Sequence, residues 1–96
     1  MKKEGYQVSK KFEKYAKKVQ EIPKKPTDDE LLQLYGLFKQ TKFGDNTTEK
    51  PSIFTLNLKA HSKWGAWNKN KGMTQENSEK EYILLCKKII KKYMEE

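Results

Sequence analysis

Apolar residues return at helical spacing in separate stretches of this chain, and nowhere do they alternate as along a half-buried strand. That restricts the fold to helices packed on helices. Phe12, Tyr15, Ala16 and Val19 fall at i, i+3, i+4 and i+7, one face of a first helix. Ser9 is placed to cap its start, and Pro23 stops it after Ile22. A second helix opens on Thr27-Asp28-Asp29-Glu30, a full capping box with acids facing the helix dipole. Leu31, Leu34, Tyr35 and Phe38 then share one face. A shorter third helix is expected from about Lys59 to Asn70, carrying Trp64 and Trp67 one turn apart and broken by Gly72. The fourth is capped by Thr74. Tyr82, Leu85, Ile89 and Tyr93 form its stripe, with Ile83, Cys86 and Ile90 alongside. The expected class is all-α.

Between the second and third helices, from Thr41 to about Leu58, no helical period exists. Gly44, Asp45, Asn46, Thr47, Thr48, Pro51 and Ser52 are turn formers, yet Phe43, Ile53, Phe54, Leu56 and Leu58 are interleaved with them. A loop this long in a chain of 96 residues is either functional or packed on the core. Such a chain has room for one domain, which buries about 60–65% of the surface its unfolded form exposes. The expected division is a flexible N-terminal extension over 1–8 and one domain over 9–96.

Charge narrows the partner. The net charge is +8, and all 21 basic residues are Lys. A surplus of this sign suits a nucleic acid, an anionic membrane or a phosphorylated small molecule. The absence of Arg weighs against sequence-specific DNA reading, where Arg is the usual reader of guanine. Solvated surface charge with no partner accounts for the same lysines, including Lys87, Lys88, Lys91 and Lys92 in the last turns of the fourth helix. One cysteine, Cys86, permits no internal disulfide, and it lies in the apolar arc of its helix. One histidine, His61, has no co-ligand at metal spacing. Neither residue has the neighbours of a nucleophile, so no enzyme, metal or cofactor is expected. The N-terminus lacks the apolar run of a signal peptide, and no stretch approaches a membrane span; the expected compartment is the cytoplasm.

The segment Tyr35-Gly36-Leu37-Phe38-Lys39-Gln40 sets a hydroxyl, a ring and an ammonium at i, i+3 and i+4 on one helix face. That trio suits a nucleotide, with a ring to stack on a base and polar tips for a phosphate. It equally suits two core aromatics beside a surface lysine, and both readings stand at this point. Gly36 within a helix costs about 1 kcal/mol relative to Ala; it either admits a close contact or is tolerated drift, and both readings stand. In Lys63-Trp64-Gly65-Ala66-Trp67 the tryptophans read as core, while Lys59 and Lys63, one turn apart, are placed to converge on one anion.

Taken in order, these segments resemble the acyl-CoA-binding protein family. The likeness runs from about Phe12 to Tyr93 through Leu34-Tyr35-Gly36-Leu37-Phe38-Lys39-Gln40, Gly44-Asp45, Lys50-Pro51, Lys63-Trp64-Gly65-Ala66-Trp67-Asn68, Lys71-Gly72 and Tyr82-Ile83. The resemblance implies an antiparallel four-helix bundle that binds medium- to long-chain acyl-CoA without catalysis, as a cytoplasmic carrier and pool former. The ligand's head would lie at the surface and its chain in an apolar groove walled by residues such as Leu31, Leu32 and Ile53. It assigns the 3′-phosphate to Tyr35 and Lys39, helped by Lys63, and adenine stacking to Phe38. Tyr82 completes that site, with Lys59 near it and Gly36 and Leu37 within the same motif. Phe38 stands where the family often has Tyr. Gln20 stands where it often has a ligand-contacting lysine, and Lys17, one turn earlier, is the available substitute. The stretch between Pro51 and Trp64 is slightly longer than the family's. The implied partners are acyl-CoA and, transiently, acyl-CoA-using enzymes or membranes; the implied state is a monomer without nucleic acid or stable membrane insertion. The alternative is a basic helical domain for nucleic acid or protein.

Overall fold

The computed structural model describes residues 5–94. It contains α1 (Lys10–Lys18), a single 3-10 turn (Val19–Glu21), α2 (Asp28–Phe43), α3 (Leu58–Asn68) and α4 (Gln75–Met94). No strand occurs among the described residues. Each start has a physical cause. The Ser9 hydroxyl accepts from the Phe12 amide at 3.0 Å. Thr27 and Glu30 close the expected capping box reciprocally, at 2.9 and 3.1 Å. Thr74 accepts from the Asn77 amide at 3.0 Å and so opens α4.

The ends differ from the sequence expectation in detail. The first helix tightens into the 3-10 turn before Ile22, which is extended because Pro23 follows it. The second continues through Phe43 and stops at Gly44, whose φ of +78° is open to glycine at little cost. The third starts at Leu58, capped by the Asn57 side chain, which accepts from Ala60 at 3.0 Å. It ends at Asn68, before Gly72 with its φ of +94°.

Phe12, Val19, Leu34, Tyr82, Ile83, Cys86 and Ile89 form the core, where α1, α2 and α4 meet. Phe12 stacks on Phe38 at 5.6 Å and meets Tyr82 at 4.8 Å, between ring centroids. Helix α2 packs on both α3 and α4, α1 packs on α4, and α3 leans on α2 alone. The molecule is correspondingly flat, 41 × 38 × 17 Å. A polar seam joins α2 to α4: the Thr41 hydroxyl donates to Ser78, which donates to the Leu37 carbonyl, each at 2.9 Å.

Two devices hold what the helices alone do not. The α2–α3 connection is tied to α3 by tryptophan N–H groups: Trp67 donates to the Gly44 carbonyl at 2.8 Å and Trp64 to the Thr48 carbonyl at 3.1 Å. Trp67 is buried and Trp64 half-buried. Asp45 then joins this loop to the next, accepting from the Gly72 amide and the Gln40 side chain, both at 2.9 Å. Those two donors hold its carboxyl below the usual carboxylate range. At the N-terminus, residues 1–4 of the expected extension lie outside the described residues. Over 5–8, Val8 packs against the core and the Tyr6 hydroxyl donates to Glu79 at 2.7 Å.

Candidate ligand-binding site

Two pockets open on either side of α2 and share Leu31 and Tyr35 as a common wall. One, of about 290 Å³, is lined by Val19, Gln20, Pro26, Leu31, Leu34, Tyr35, Phe38 and Tyr82. It lies where the 3-10 turn and the α1–α2 connection pass over α2 and α4. The other, of about 440 Å³, fills the seam between α2 and α3 and is lined by Lys25, Asp28, Leu31, Leu32, Tyr35, Leu58, Lys59, Ser62 and Lys63. The half-buried Leu31 and Leu32 make its floor, and the exposed Leu58 and lysines its rim. An apolar cleft with a few convergent polar groups is the usual form of a small-molecule site. Three ammoniums at its mouth suit an anionic head.

Helical register puts these groups together. Leu31 and Tyr35 are one turn apart on α2, and Lys59 and Lys63 one turn apart on the facing side of α3. The close approach of the two helices depends on Gly36. A Cβ there would lie 2.2 Å from the Ala66 carbonyl oxygen of α3, so only glycine fits. The Lys63 ammonium sits 5.3 Å from the centre of the Tyr35 ring. One turn further along the same seam, the Lys39 ammonium sits over Phe43 at 4.5 Å and over Trp67 at 4.8 Å. Each cation thus rests on an aromatic face, an attraction of about 0.5–1 kcal/mol at exposed sites.

Phe38 combines both sequence readings. Its ring contacts Phe12 and Tyr82 yet stays half-buried, with the Lys42 ammonium 5.8 Å from the ring centre. Tyr82 is a core residue that also lines the smaller pocket. Burial, followed by its contact with Cys86, pushes its hydroxyl well above the usual tyrosine range, so it stays protonated.

Among the residues singled out from sequence, Gln20, Leu31, Leu32, Tyr35, Phe38, Lys59, Lys63 and Tyr82 line one pocket or both. Lys39 stands beyond their edge, over Phe43 and Trp67. Lys17 is exposed on α1 and lines neither pocket. Gly36 meets the α3 backbone, and Leu37 packs against the core. Ile53 lines neither pocket either, being turned outward into solvent. Val19, Lys25, Pro26, Asp28, Leu34, Leu58 and Ser62 line a pocket without being marked for the site by the sequence. Lys25 and Pro26 sit in a connection that carries no period, so no sequence signal marks them. Leu58 carried one, as the last apolar residue before a helix.

A flat helical frame with a lysine-rimmed, leucine-floored cleft defines a small ligand-binding domain. Residues 9–86 match the family model described as "Acyl CoA binding protein". The chain is 55% identical over 86 residues to the acyl-CoA-binding protein of Saccharomyces cerevisiae, covering 90% of this chain and 97% of that one. It is 49% identical to the acyl-CoA-binding protein homolog of Drosophila melanogaster, covering 90% and 98%. Its structure is similar to the crystal structure of Oryza sativa acyl-CoA-binding protein 2, with a TM-score of 0.79 at 36% identity over 86% of this chain and 90% of that one. The solution structure of the yeast protein gives 0.69 at 55% identity, over 90% and 98%. The chain belongs to the acyl-CoA-binding protein family. Its fold is the all-helical one expected from the sequence. Among the described residues, no helix is long and apolar enough to cross a membrane.

Proposed function

We propose that this protein binds medium- to long-chain acyl-CoA esters and serves as a carrier and pool former for them. It acts as a monomer in the cytoplasm and meets acyl-CoA-using enzymes or membranes only transiently. Family membership supports the ligand class. The observation that carries the reading is the joining of the two pockets at Leu31 and Tyr35. One continuous surface there offers leucines to a hydrocarbon chain and lysines to phosphates. The chain contributes roughly 0.8 kcal/mol per buried CH₂, before ordering costs. The head is met by Lys59, Lys63 and Lys39, with Phe38 offering the exposed part of its ring to adenine and Tyr82 behind it. Tyr35, shared by both pockets and beneath the Lys63 ammonium, joins Lys39 and Lys63 on the 3′-phosphate.

Calorimetry with palmitoyl-CoA and with free CoA tests this reading. The palmitoyl ester is expected to bind at least ~100-fold more tightly, as burial of several methylenes requires. Equal affinities would remove the apolar groove from the account.

A further inference from the structure

The α2–α3 connection carries side chains that neither the core nor the cleft uses. Ile53, Phe54, Leu56 and Leu58 are 84, 84, 93 and 77% exposed. The Thr55 amide donates to the Ser52 carbonyl at 3.0 Å, closing a turn with Ile53 and Phe54 at its two corners. Turn corners favour Gly, Pro, Asn and Asp, so two large apolar side chains there are out of place in water. The loop is also firmly based. On one side the Thr48 carbonyl accepts from Trp64, and on the other Asn57 caps α3. The apolar tip is therefore presented, not trailing.

We infer that the tip formed by Ile53, Phe54 and Leu56 inserts into the surface of an anionic lipid bilayer, with neighbouring lysines on the lipid phosphates. Charge decides between the candidate occupants. Lys50, beside Glu49, precedes the tip and Lys59 follows it, so the flanks of the tip are net positive on a chain of net charge +8. A second copy would bring the same positive field and be repelled, whereas an anionic headgroup layer attracts it. The acyl chain of a bound ligand is not the cover: the pocket walls are Leu31, Leu32, Leu34 and Leu58, and none of the three tip residues lines them. Leu58 belongs to both the apolar run and the larger pocket, so a docked bilayer would lie at the mouth of the cleft. Docking gives the transient membrane contact of the proposed function a surface on the molecule, and it does not depend on acyl-CoA binding. Only its use for loading and unloading a carrier does.

The test is co-sedimentation of the full chain with phosphatidylcholine vesicles, with and without phosphatidylserine, in the absence of acyl-CoA. The chain should sediment with the serine-containing vesicles, less with neutral ones, and less again as salt screens the lysines. The double variant Phe54→Ser/Leu56→Ser removes no core contact and should keep its circular dichroism. It should lose vesicle affinity by at least ~10-fold, given the apolar area removed. Its palmitoyl-CoA affinity in vesicle-free solution should stay within about twofold of the original, because neither residue lines a pocket. Sedimentation of the double variant equal to the original's overturns the inference. So does a failure of the original to sediment with either vesicle, which would leave the tip to a protein partner. A matching loss of palmitoyl-CoA affinity in the variant also overturns it, by showing that the tip covers the ligand instead. Vesicle binding without palmitoyl-CoA binding in the original would keep the inference and sink the proposed function alone.

Discussion

Single residues set the cleft, and Gly36 sets its width. Replacing it with Ala offers about 1 kcal/mol of helix propensity. The new methyl would meet the Ala66 backbone at 2.2 Å, and a backbone atom cannot rotate away. Overpacking of this kind costs about 1–3 kcal/mol, so Gly36→Ala should destabilise on balance, by up to ~2 kcal/mol in urea unfolding. A more stable variant would mean that α3 yields freely. Lys39 makes the second test. To reach a 3′-phosphate its ammonium must leave Phe43 and Trp67, at a cost of about 0.5–1 kcal/mol. A hydrogen bond to a charged group returns about 1.5–3 kcal/mol, so the exchange is favourable. The original protein should therefore prefer palmitoyl-CoA to its 3′-dephospho form, and Lys39→Ala should largely erase that preference, Lys63→Ala only part of it. Calorimetry on the two-protein, two-ligand cycle isolates the coupling. Equal losses for both ligands would take Lys39 out of the phosphate site.

Elements are joined end to end by carboxylates. Glu30 closes the capping box of α2 and also accepts from Lys92 at 2.8 Å and from the Tyr93 hydroxyl at 2.6 Å, tying the end of α4 to the start of α2. Those hydrogen bonds, with the Lys92 one foremost, pull its carboxyl down from 4.5 to about 2. A carboxyl depressed in the folded state stabilises above its unfolded value, and the contribution disappears as pH falls through the folded one. Glu30→Gln should therefore lower stability at neutral pH, with the gap to the original closing between pH 4.5 and about 2. Urea unfolding of both proteins across that range measures it; a gap independent of pH would mean that the charge contributes nothing. Glu79 plays the matching part at the other end. Burial raises its carboxyl, but hydrogen bonds from Ser9 and Tyr6 outweigh that and hold it below the usual range. The pairing in turn pushes the Tyr6 hydroxyl up to about 12.

At the scale of the whole molecule, α3, like α1, packs on one other α-helix among those described. It touches α2 and the connection before it, and nothing else among the described helices. The larger pocket lies in that seam, and the smaller joins α2 to the 3-10 turn and α4. A ligand spanning both adds contacts between α3, α2 and the 3-10 turn that the chain itself lacks. At 100 times its dissociation constant, palmitoyl-CoA should stabilise by about 2.7 kcal/mol. For a domain of this size that is a rise in Tm of roughly 10–20 °C. Amide exchange should slow most in α3. A ligand-induced rise in Tm with α3 amides unprotected would move the site off this seam.

The sequence by itself determined the four helices, because hydrophobic period and capping chemistry are local. Thr27 with Glu30, Ser9, Thr74 and Pro23 each act within a turn or two of their own position. It also determined the family, through a series of motifs whose order carries more than any one of them; the joint role of Tyr35, Lys39 and Lys63 on one phosphate is what that likeness implies and what the calorimetric cycle tests. The tertiary structure alone decided the purpose of Gly36, because the obstacle is the α3 backbone thirty positions on. It decided that Lys25 and Ser62 line the larger pocket and Pro26 the smaller, since tertiary packing and not spacing brings them there. It turned Ile53 out to solvent where a groove wall was expected, because the Ser52–Thr55 turn sets it at an exposed corner. Period and caps are fixed by neighbours in sequence; a cleft is fixed by which helices touch, and that is settled only when the whole chain has packed.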